Sequence, residues 1–215
     1  MRTYLATVGF DSRRVTRPTL NYGVDEEDRV VLIRPDAEPD DRATEAINDV
    51  QNLLEEVEPD VRFSTVEIAH QSLEAAVLES VDLLRAADGE RVVCLGGGAR
   101  DVLLPMTLAT LTARPLVDTV LFFSDLSGDV RQWNLPALSP TIPDNVGRTF
   151  AAISDNDGWT DLSTITEQVD AAKSTVTRHV NELETQKLIK SRTNGRRKQV
   201  RLSFSGKVLD RRGAL

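Results

Sequence analysis

The stretch RVVCLGGGARDVLLPMTLATL, residues 91–111, decides the fold of the first half of the chain. It begins with a short apolar run typical of a buried β-strand, Arg91–Leu95, and continues through three consecutive glycines. It ends in a helical pattern of apolar residues over Val102–Leu111. A strand, a glycine-rich turn and a helix in this order predict a parallel sheet with crossover helices.

The same alternation extends through the first 125 residues of the 215-residue chain. Further strands are predicted at Thr3–Gly9, Arg29–Arg34, Val61–Ile68 and Val117–Phe123, and further helices at Ala43–Val57 and Leu73–Leu84. Because right-handed crossovers place helices on both faces of such a sheet, we expect an α/β, Rossmann-like domain with a mainly parallel sheet.

Charge divides the chain in two. Residues 1–144 carry 13 arginines, no lysine and 26 acidic residues, a net charge of −13, whereas residues 145–215 carry 13 basic and 8 acidic residues, a net charge of +5. Prolines cluster near residue 140, which is typical of a linker. We therefore expect one domain over residues 1–135, a linker over 136–147 and a second, small domain over 148–215. An acidic, lysine-free body is typical of halophilic proteins; the alternative is a solvated acidic surface without functional meaning.

Composition excludes several classes of protein. No apolar run reaches the roughly 18 residues of a membrane span, and no secretory signal is present, so a cytoplasmic protein is expected. The single cysteine, Cys94, excludes a disulfide framework and fits a small core residue. With only two histidines, His70 and His179, no metal site is expected, although His70 follows a predicted strand and is kept as a minor pocket candidate.

The last 70 residues follow a different pattern. A first helix includes Thr149–Ile153, a second begins after Thr160-Asp161, and a third covers Lys173–Gln186. Asn194-Gly195 then joins two alternating runs, which predicts a β-hairpin because both turn residues need positive φ. The second run, ending at Phe204, is expected to point Val200, Leu202 and Phe204 to one side. This order of elements is that of a winged helix-turn-helix.

The small domain carries polar and basic residues where such a fold contacts DNA. Those expected on the exposed face of the third helix are Lys173, Ser174, Thr175, Thr177, Arg178 and Asn181, and those at the hairpin tip are Arg192, Arg196, Arg197 and Lys198. Residues 171–180 also resemble the recognition segment of winged-helix regulators of the multiple-antibiotic-resistance and arsenic-repressor types. The alternatives are a solvated basic surface and a winged helix that serves dimerisation or protein binding. Trp159 is expected in the core of this domain, and Trp133 at a dimer or domain interface.

Two glycine-containing loops follow predicted strands of the first domain. The first loop contributes Gly9, Phe10, Asp11, Ser12, Arg13 and Arg14, and the second contributes Gly96, Gly97, Gly98, Ala99 and Arg100. Ligands of open α/β sheets bind at the carboxyl ends of the strands, where glycines let backbone amides approach a phosphate. A phosphate-rich ligand and a purely structural strand-to-helix turn are equally compatible with this pattern. Neither loop is a dinucleotide fingerprint, and without a lysine the domain has no P-loop.

The segments Thr7–Asp11 (TVGFD) and Gly96–Arg100 (GGGAR) resemble the CRISPR-associated Rossmann-fold (CARF) domain. Followed by a winged helix, that domain resembles the archaeal CRISPR-associated transcriptional regulators. The resemblance implies a homodimer that binds cyclic oligoadenylate, usually cyclic tetra-adenylate, on its two-fold axis and double-stranded promoter DNA through its winged helices. It implies ligand contacts from Gly9, Phe10, Asp11 and Ser12 and from Gly97, Gly98, Ala99 and Arg100. The chain departs from the family at Ala99, where threonine or methionine is common, and in the basic pair Arg13 and Arg14.

No catalytic set of residues and no cofactor other than the cyclic ligand is expected. Some CARF domains cleave their ligand, a reaction that needs little more than orientation and one cation; Ser12, Arg13 and Arg100 are the candidates for it here. A ring-opening ribonuclease and an interaction module that recruits CRISPR effectors therefore remain alternatives to a ligand-responsive regulator.

Overall fold

The computed structural model describes residues 1–38, 40–135, 142–156, 158–195 and 197–213. The chain divides into two compact units, Met1–Leu138 and Ser139–Leu215. Ile142 and Val146, which the sequence placed in the linker, are buried in the core of the second unit. That part of the linker prediction is wrong, because the first helix of the second unit already begins at Asp144. Residues 136–141 of the predicted linker lie outside the described residues.

The first unit is a six-stranded sheet flanked by helices. Its strands are β1 (Arg2–Thr7), β2 (Arg29–Pro35), β3 (Arg62–Ile68), β4 (Glu90–Leu95), β5 (Thr119–Phe123) and β6 (Val130–Gln132). Its helices are α1 (Arg13–Tyr22), α2 (Asp41–Val57), α3 (Leu73–Ala86) and α4 (Arg100–Thr112), with a 3-10 turn at Arg114–Leu116. The strand order is β3-β2-β1-β4-β5-β6, and β6 alone pairs antiparallel. This confirms the predicted Rossmann-like α/β fold.

The strand order reverses beside β1, which pairs with β2 on one side and with β4 on the other. Tyr4 and Ala6 of β1 and Cys94 of β4 belong to a buried cluster that also holds Val15 of α1 and Val50 of α2. This core fixes the carboxyl ends of β1 and β4 side by side. A crevice at such a point is where ligands bind in open α/β sheets.

Helix α1 was not predicted from the sequence. Its buried face includes Thr16, Pro18 and Thr19, and only Val15 is aliphatic. The Thr19 hydroxyl donates a hydrogen bond to the carbonyl oxygen of Val15 at 2.8 Å, which satisfies this polar group inside the fold. A helix whose buried face is made of threonine and proline lacks the apolar periodicity by which helices are recognised.

The second unit combines four helices with a three-stranded antiparallel sheet of order β7-β9-β8. Its elements are α5 (Asp144–Ser154), β7 (Thr160–Asp161), α6 (Leu162–Val169), α7 (Lys173–Thr185), β8 (Ile189–Asn194), β9 (Arg197–Leu202) and α8 (Phe204–Arg211). The core is built around Phe150, Ile153, Ile165, Val180 and Leu183, all with exposures of 1% or less.

Two details of the hairpin differ from the prediction. Asn194 is not a turn residue but the last residue of β8, paired with Arg197, and the positive φ of +63° falls on Gly195. Arg196 lies outside the described residues. Phe204 does not extend β9, because Ser203 caps a new helix there by accepting a hydrogen bond from the amide of Gly206 at 3.1 Å. Across the described residues, no helix is both long and apolar enough to cross a membrane.

Candidate functional site

The two glycine loops of the first unit touch each other backbone to backbone. A Cβ added to Gly9 would lie 3.0 Å from the amide nitrogen of Gly98, and one added to Gly98 would lie 3.0 Å from the Cβ of Thr7. Gly98 also has a φ of +99°, which side chains disfavour. The Thr7 hydroxyl donates to the carbonyl oxygen of Gly97 and ties the loops together. The glycines therefore have a packing role of their own at the predicted site.

A cavity of about 390 Å³ lies at this junction. Its lining from the two predicted loops and the end of β1 is Val8, Gly9, Phe10, Asp11, Arg14, Gly98 and Ala99. A third wall, which the sequence did not predict, is formed by the end of β2, the loop after it and the start of α2. Its residues are Arg34, Pro35, Ala37, Glu38, Asp40 and Ala43. Five predicted ligand residues do not line the cavity: Ser12, Arg13, Gly96, Gly97 and Arg100. Because β2 is the parallel neighbour of β1, the third wall follows from the strand order alone.

The predicted phosphate-binding arginines of the first loop are engaged within the protein. Arg13 binds the carboxylate of Asp11 with Nε at 2.9 Å and Nη2 at 3.1 Å, and this hydrogen bonding lowers the pKa of Asp11. Arg14 donates to the carbonyl oxygen of Gly96 at 3.0 Å and pairs with Asp125 at 2.7 Å. An anionic ligand must compete with these carboxylates for the two guanidinium groups.

The start of α4 offers a site with fewer competitors. Arg100 is the first residue of α4 and is exposed, and its side chain has no hydrogen-bonding or ionic partner among the described residues. Ala99, at the N-cap, has no side-chain oxygen to accept from the first amides of the helix. A helix N-terminus with free amides favours an anion.

An exposed aromatic ring stands at the rim of the cavity. The Phe10 side chain is 58% exposed, and the guanidinium carbon of Arg42 lies 4.1 Å from its ring centroid. Exposed aromatic rings next to arginine are platforms on which nucleobases stack. Glu38 and Asp40 line the same cavity and can accept hydrogen bonds from amino or hydroxyl groups.

Helix α7 of the second unit presents most of the predicted polar residues to solvent. Lys173, Ser174, Arg178 and Asn181 are exposed, whereas Thr175 and Thr177 are half-buried. The Thr177 hydroxyl already donates to the carbonyl oxygen of Lys173 at 2.8 Å.

The buried side of α7 holds it against the rest of the unit. Val176, Val180 and Leu183 are fully buried. His179 is also buried, and its Nδ1 lies 2.8 Å from the Thr149 hydroxyl of α5. His179 is therefore a core residue.

The hairpin is fastened to α7 by polar contacts. Lys198 Nζ lies 3.3 Å from Asn181 Oδ1 and 3.5 Å from a carboxylate oxygen of Glu184. The Ser191 hydroxyl donates to the other oxygen of Glu184 at 2.6 Å. Two residues predicted to contact DNA, Asn181 and Lys198, thus bind each other, and the position of the hairpin depends on Glu184.

Trp159 does not pack in the core, as the sequence suggested, but lies on the hairpin surface. Its ring centroid is 4.3 Å from the guanidinium carbon of Arg192 and 4.6 Å from that of Arg201. Arg192 also donates to Gln199 at 2.9 Å. The β-strand before α6 places the tryptophan beside β9.

Other candidate residues have structural surroundings. His70 is half-buried after β3 and does not line the cavity. Cys94 is buried in the middle of the sheet, and burial raises the pKa of its thiol to about 12.

Trp133 stacks on Phe122 with ring centroids 4.2 Å apart and remains 40% exposed. Among the described residues, no three His, Cys, Asp or Glu side chains form a group able to hold a metal ion.

Comparison with known proteins identifies the first unit. A family model described as the Csa3 CRISPR-associated Rossmann-like domain matches residues 2–124, from the first residue of β1 to just beyond the end of β5. Among curated proteins, none matches the chain. The family match confirms the resemblance of the first unit to a CARF domain and covers more than half of the sequence. The chain therefore belongs to the family defined by the Csa3 CRISPR-associated Rossmann-like domain.

Proposed function

We propose that this protein is a ligand-responsive transcriptional regulator of CRISPR-associated loci. Its first unit binds cyclic oligoadenylate, and its second unit, a winged helix-turn-helix, binds promoter DNA. The observation that carries the proposal is the meeting of the two glycine loops at the point where the strand order reverses, in a CRISPR-associated Rossmann-like domain.

The chemistry of the cavity supports a nucleotide ligand. Phe10 supplies a stacking surface for a base, and the carboxylates of Glu38 and Asp40 supply acceptors for base amino groups or ribose hydroxyls. The first amides of α4 and the Arg100 side chain, which has no partner in the described part of the chain, supply positive potential for a phosphate just outside the cavity. The first unit thus offers complementary groups for the base, the sugar and the phosphate of a nucleotide.

A homodimer with a shared ligand fits the symmetry of a cyclic tetranucleotide, which has a two-fold axis of its own. A two-fold interface presents the same loops twice. The outer face of α4 carries Leu104 and Leu108, which are 57% and 40% exposed and one helical turn apart. Two leucines exposed on one face of the helix that begins at the ligand loop support self-association through α4.

The order α6, short turn, α7 and β8-β9 hairpin supports a winged helix-turn-helix. A helix of 13 residues with one exposed face, such as α7, fits the roughly 12 Å wide major groove. Arg178 lies on its exposed face and has no side-chain partner among the described residues, so we expect it to contact base edges or phosphates. The ties of Lys198 and Ser191 to Glu184 hold the hairpin in a fixed position beside this helix.

Calorimetric titration of the full chain with cyclic tetra-adenylate, at high potassium chloride, tests the ligand. We expect saturation at one ring per two chains, no binding of linear tetra-adenylate, and weaker binding by Arg100→Gln. The matched control is Arg62→Gln, an exposed arginine at the opposite end of the sheet, which we expect to leave binding unchanged. Absence of heat from a folded protein would refute the ligand, and a linear product recovered after incubation would favour a ring-opening ribonuclease.

Electrophoretic or anisotropy measurements on duplex DNA test the second unit. We expect Arg178→Gln to lose most DNA affinity while ligand binding survives. Arg148→Gln on α5 is the matched control, because Arg148 is also exposed but lies on a different helix. Equal DNA affinity of both variants and the unmodified protein would argue for a protein-interaction module instead.

A further inference from the structure

The outward face of the β7-β9-β8 sheet is strongly basic. The strand register places Lys190 opposite Arg201 and Asn194 opposite Arg197, with Arg192 between them opposite Gln199. Because neighbouring residues of a strand point to opposite faces, the four cations Lys190, Arg192, Arg197 and Arg201 share one face. The other face carries Val200, which is fully buried, and Lys198, which contacts α7.

Trp159 contacts two arginines of this face, Arg192 and Arg201. Both guanidinium groups lie within 4.6 Å of its ring centroid, at a distance typical of cation–π contacts. Stacking on a ring leaves the N–H edges of a guanidinium group available, and the Arg201 side chain has no hydrogen-bond partner among the described residues. The tryptophan thus pre-orients arginine donors toward solvent without consuming them.

Little negative charge opposes these cations. The carboxylate on this face is Asp161, which pairs with Gln199 across the strands and binds Arg197 at 2.9 Å and Gln199 at 2.9 Å. Lys190, Arg192 and Arg201 have no carboxylate partner among the described residues. In a chain with a net charge of −8, this local excess of positive charge points to an anionic partner.

We propose that this outward face contacts the phosphate backbone of duplex DNA, and that it extends the predicted contacts of α7 and the hairpin tip, which already include Arg192 and Arg197, to Lys190 and Arg201. The inference rests on the proposed DNA-binding function of the second unit. Arg197 and Arg201 are four residues apart on β9, about 13 Å in an extended strand. Duplex DNA carries one phosphate per about 3.4 Å of helix axis on each strand, so a face of this length can contact more than one phosphate.

The arrangement of Trp159 favours duplex DNA over a single strand. Proteins that bind single strands stack bases on free aromatic rings. Here two guanidinium groups contact the Trp159 ring, whereas a single one contacts Phe10, and the donors left on this face are those of arginine and lysine, which pair with phosphate oxygens. The residues that this adds to the proposed DNA interface are Trp159, Lys190 and Arg201.

The test is the salt dependence of DNA binding by the full chain, measured with a labelled 40-bp duplex of mixed sequence. Each phosphate contact contributes about −0.9 to the slope of log affinity against log salt concentration. We expect the double variant Lys190→Gln/Arg201→Gln to flatten the slope by about 1.8. The ratio of its affinity to that of the unmodified protein should therefore be about 20-fold lower at 0.2 M salt than at 1 M salt. Arg148→Gln, the control, keeps the slope of the unmodified protein.

Trp159 is a positioning residue and is tested separately. Trp159→Leu is expected to flatten the slope although no charge is removed, and Trp159→Phe, which keeps a ring, to restore most of it. Thermal melts verify that every variant is folded. A Trp159→Leu variant with an unchanged slope would overturn the positioning role.

The outcomes separate this inference from the proposed function. If the unmodified protein does not bind duplex DNA, both are overturned. If it binds and depends on Arg178, but the double variant keeps its slope, the outward face alone is refuted. If a single-stranded 40-mer binds more tightly than the duplex and only that binding is lost in the double variant, the assignment of the partner is wrong.

Discussion

Replacing Gly98 with alanine tests whether the stability of the first unit depends on the close approach of the two glycine loops. The φ of +99° disfavours any side chain, at a cost of about 1–3 kcal/mol. The new Cβ would also lie 3.0 Å from the Cβ of Thr7, and relieving such overpacking costs about 1–3 kcal/mol. We expect a loss of about 3 kcal/mol in the free energy of unfolding.

This loss converts into a measurable shift of Tm. Unfolding entropy is about 2.1 cal/mol/K per residue, or about 0.3 kcal/mol/K for a unit of the length of Met1–Leu138. The Tm of the first unit should therefore fall by about 10 °C in scanning calorimetry.

The control is Gly128→Ala, in the same unit. Gly128 has a φ of +70°, but the nearest atom to its added Cβ is the end of the Arg17 side chain at 3.4 Å. The Gly128→Ala variant therefore loses only the stability that the positive φ costs a side chain, about 1–2 kcal/mol, and its Tm should fall correspondingly less. If Gly98→Ala lowers Tm no more than Gly128→Ala, the close contact between the two loops does not limit the size of residue 98.

Three other predictions concern the core, the hairpin and the dimer. Because burial raises the pKa of the Cys94 thiol to about 12, a thiol reagent at pH 8 should react only after denaturation, and rapid labelling of the folded protein would contradict this. Hydrogen bonds from Gln199 and Arg197 lower the pKa of Asp161, so its stabilising contribution is present above the unfolded pKa near 3.9 and lost as the pH falls through the folded value. Asp161→Asn should thus lower the Tm of the second unit at pH 7 and much less at pH 3, whereas equal shifts at both would oppose this assignment. Replacing both exposed leucines of α4 with serine should weaken self-association in sedimentation equilibrium without lowering Tm, and an unchanged dimer would place the interface elsewhere.

Periodicity in the sequence predicts the sheet of the first unit but not all of its helices. The strands are recognisable because they are buried apolar runs, as in Val92 and Val93 of β4. Periodicity did not predict helix α1, because Thr16, Pro18 and Thr19 occupy its buried face. A buried threonine can satisfy its hydroxyl by a hydrogen bond to its own helix, but it does not contribute to the apolar periodicity from which a helix is predicted.

Local sequence patterns also predicted only part of the cavity lining. Strand ends and glycines mark the first two loops, whereas the wall after β2 depends on which strand neighbours β1. The pairing of Lys198 with Asn181 and the position of Trp159 beside Arg201 depend on the register of the hairpin, which the sequence predicted with the turn one residue too early. Contacts between elements distant in sequence are decided by register and packing, which local patterns do not encode.

The coupling between ligand and DNA tests the central claim most directly. We would measure the affinity of the full chain for a labelled promoter duplex by fluorescence anisotropy, with and without saturating cyclic tetra-adenylate. A ligand-responsive regulator should show a change of about 5- to 150-fold in Kd, corresponding to a coupling free energy of about 1–3 kcal/mol, and Arg100→Gln should require more ligand to produce it. An identical Kd with and without the ligand, in a protein that binds both, would contradict the claim.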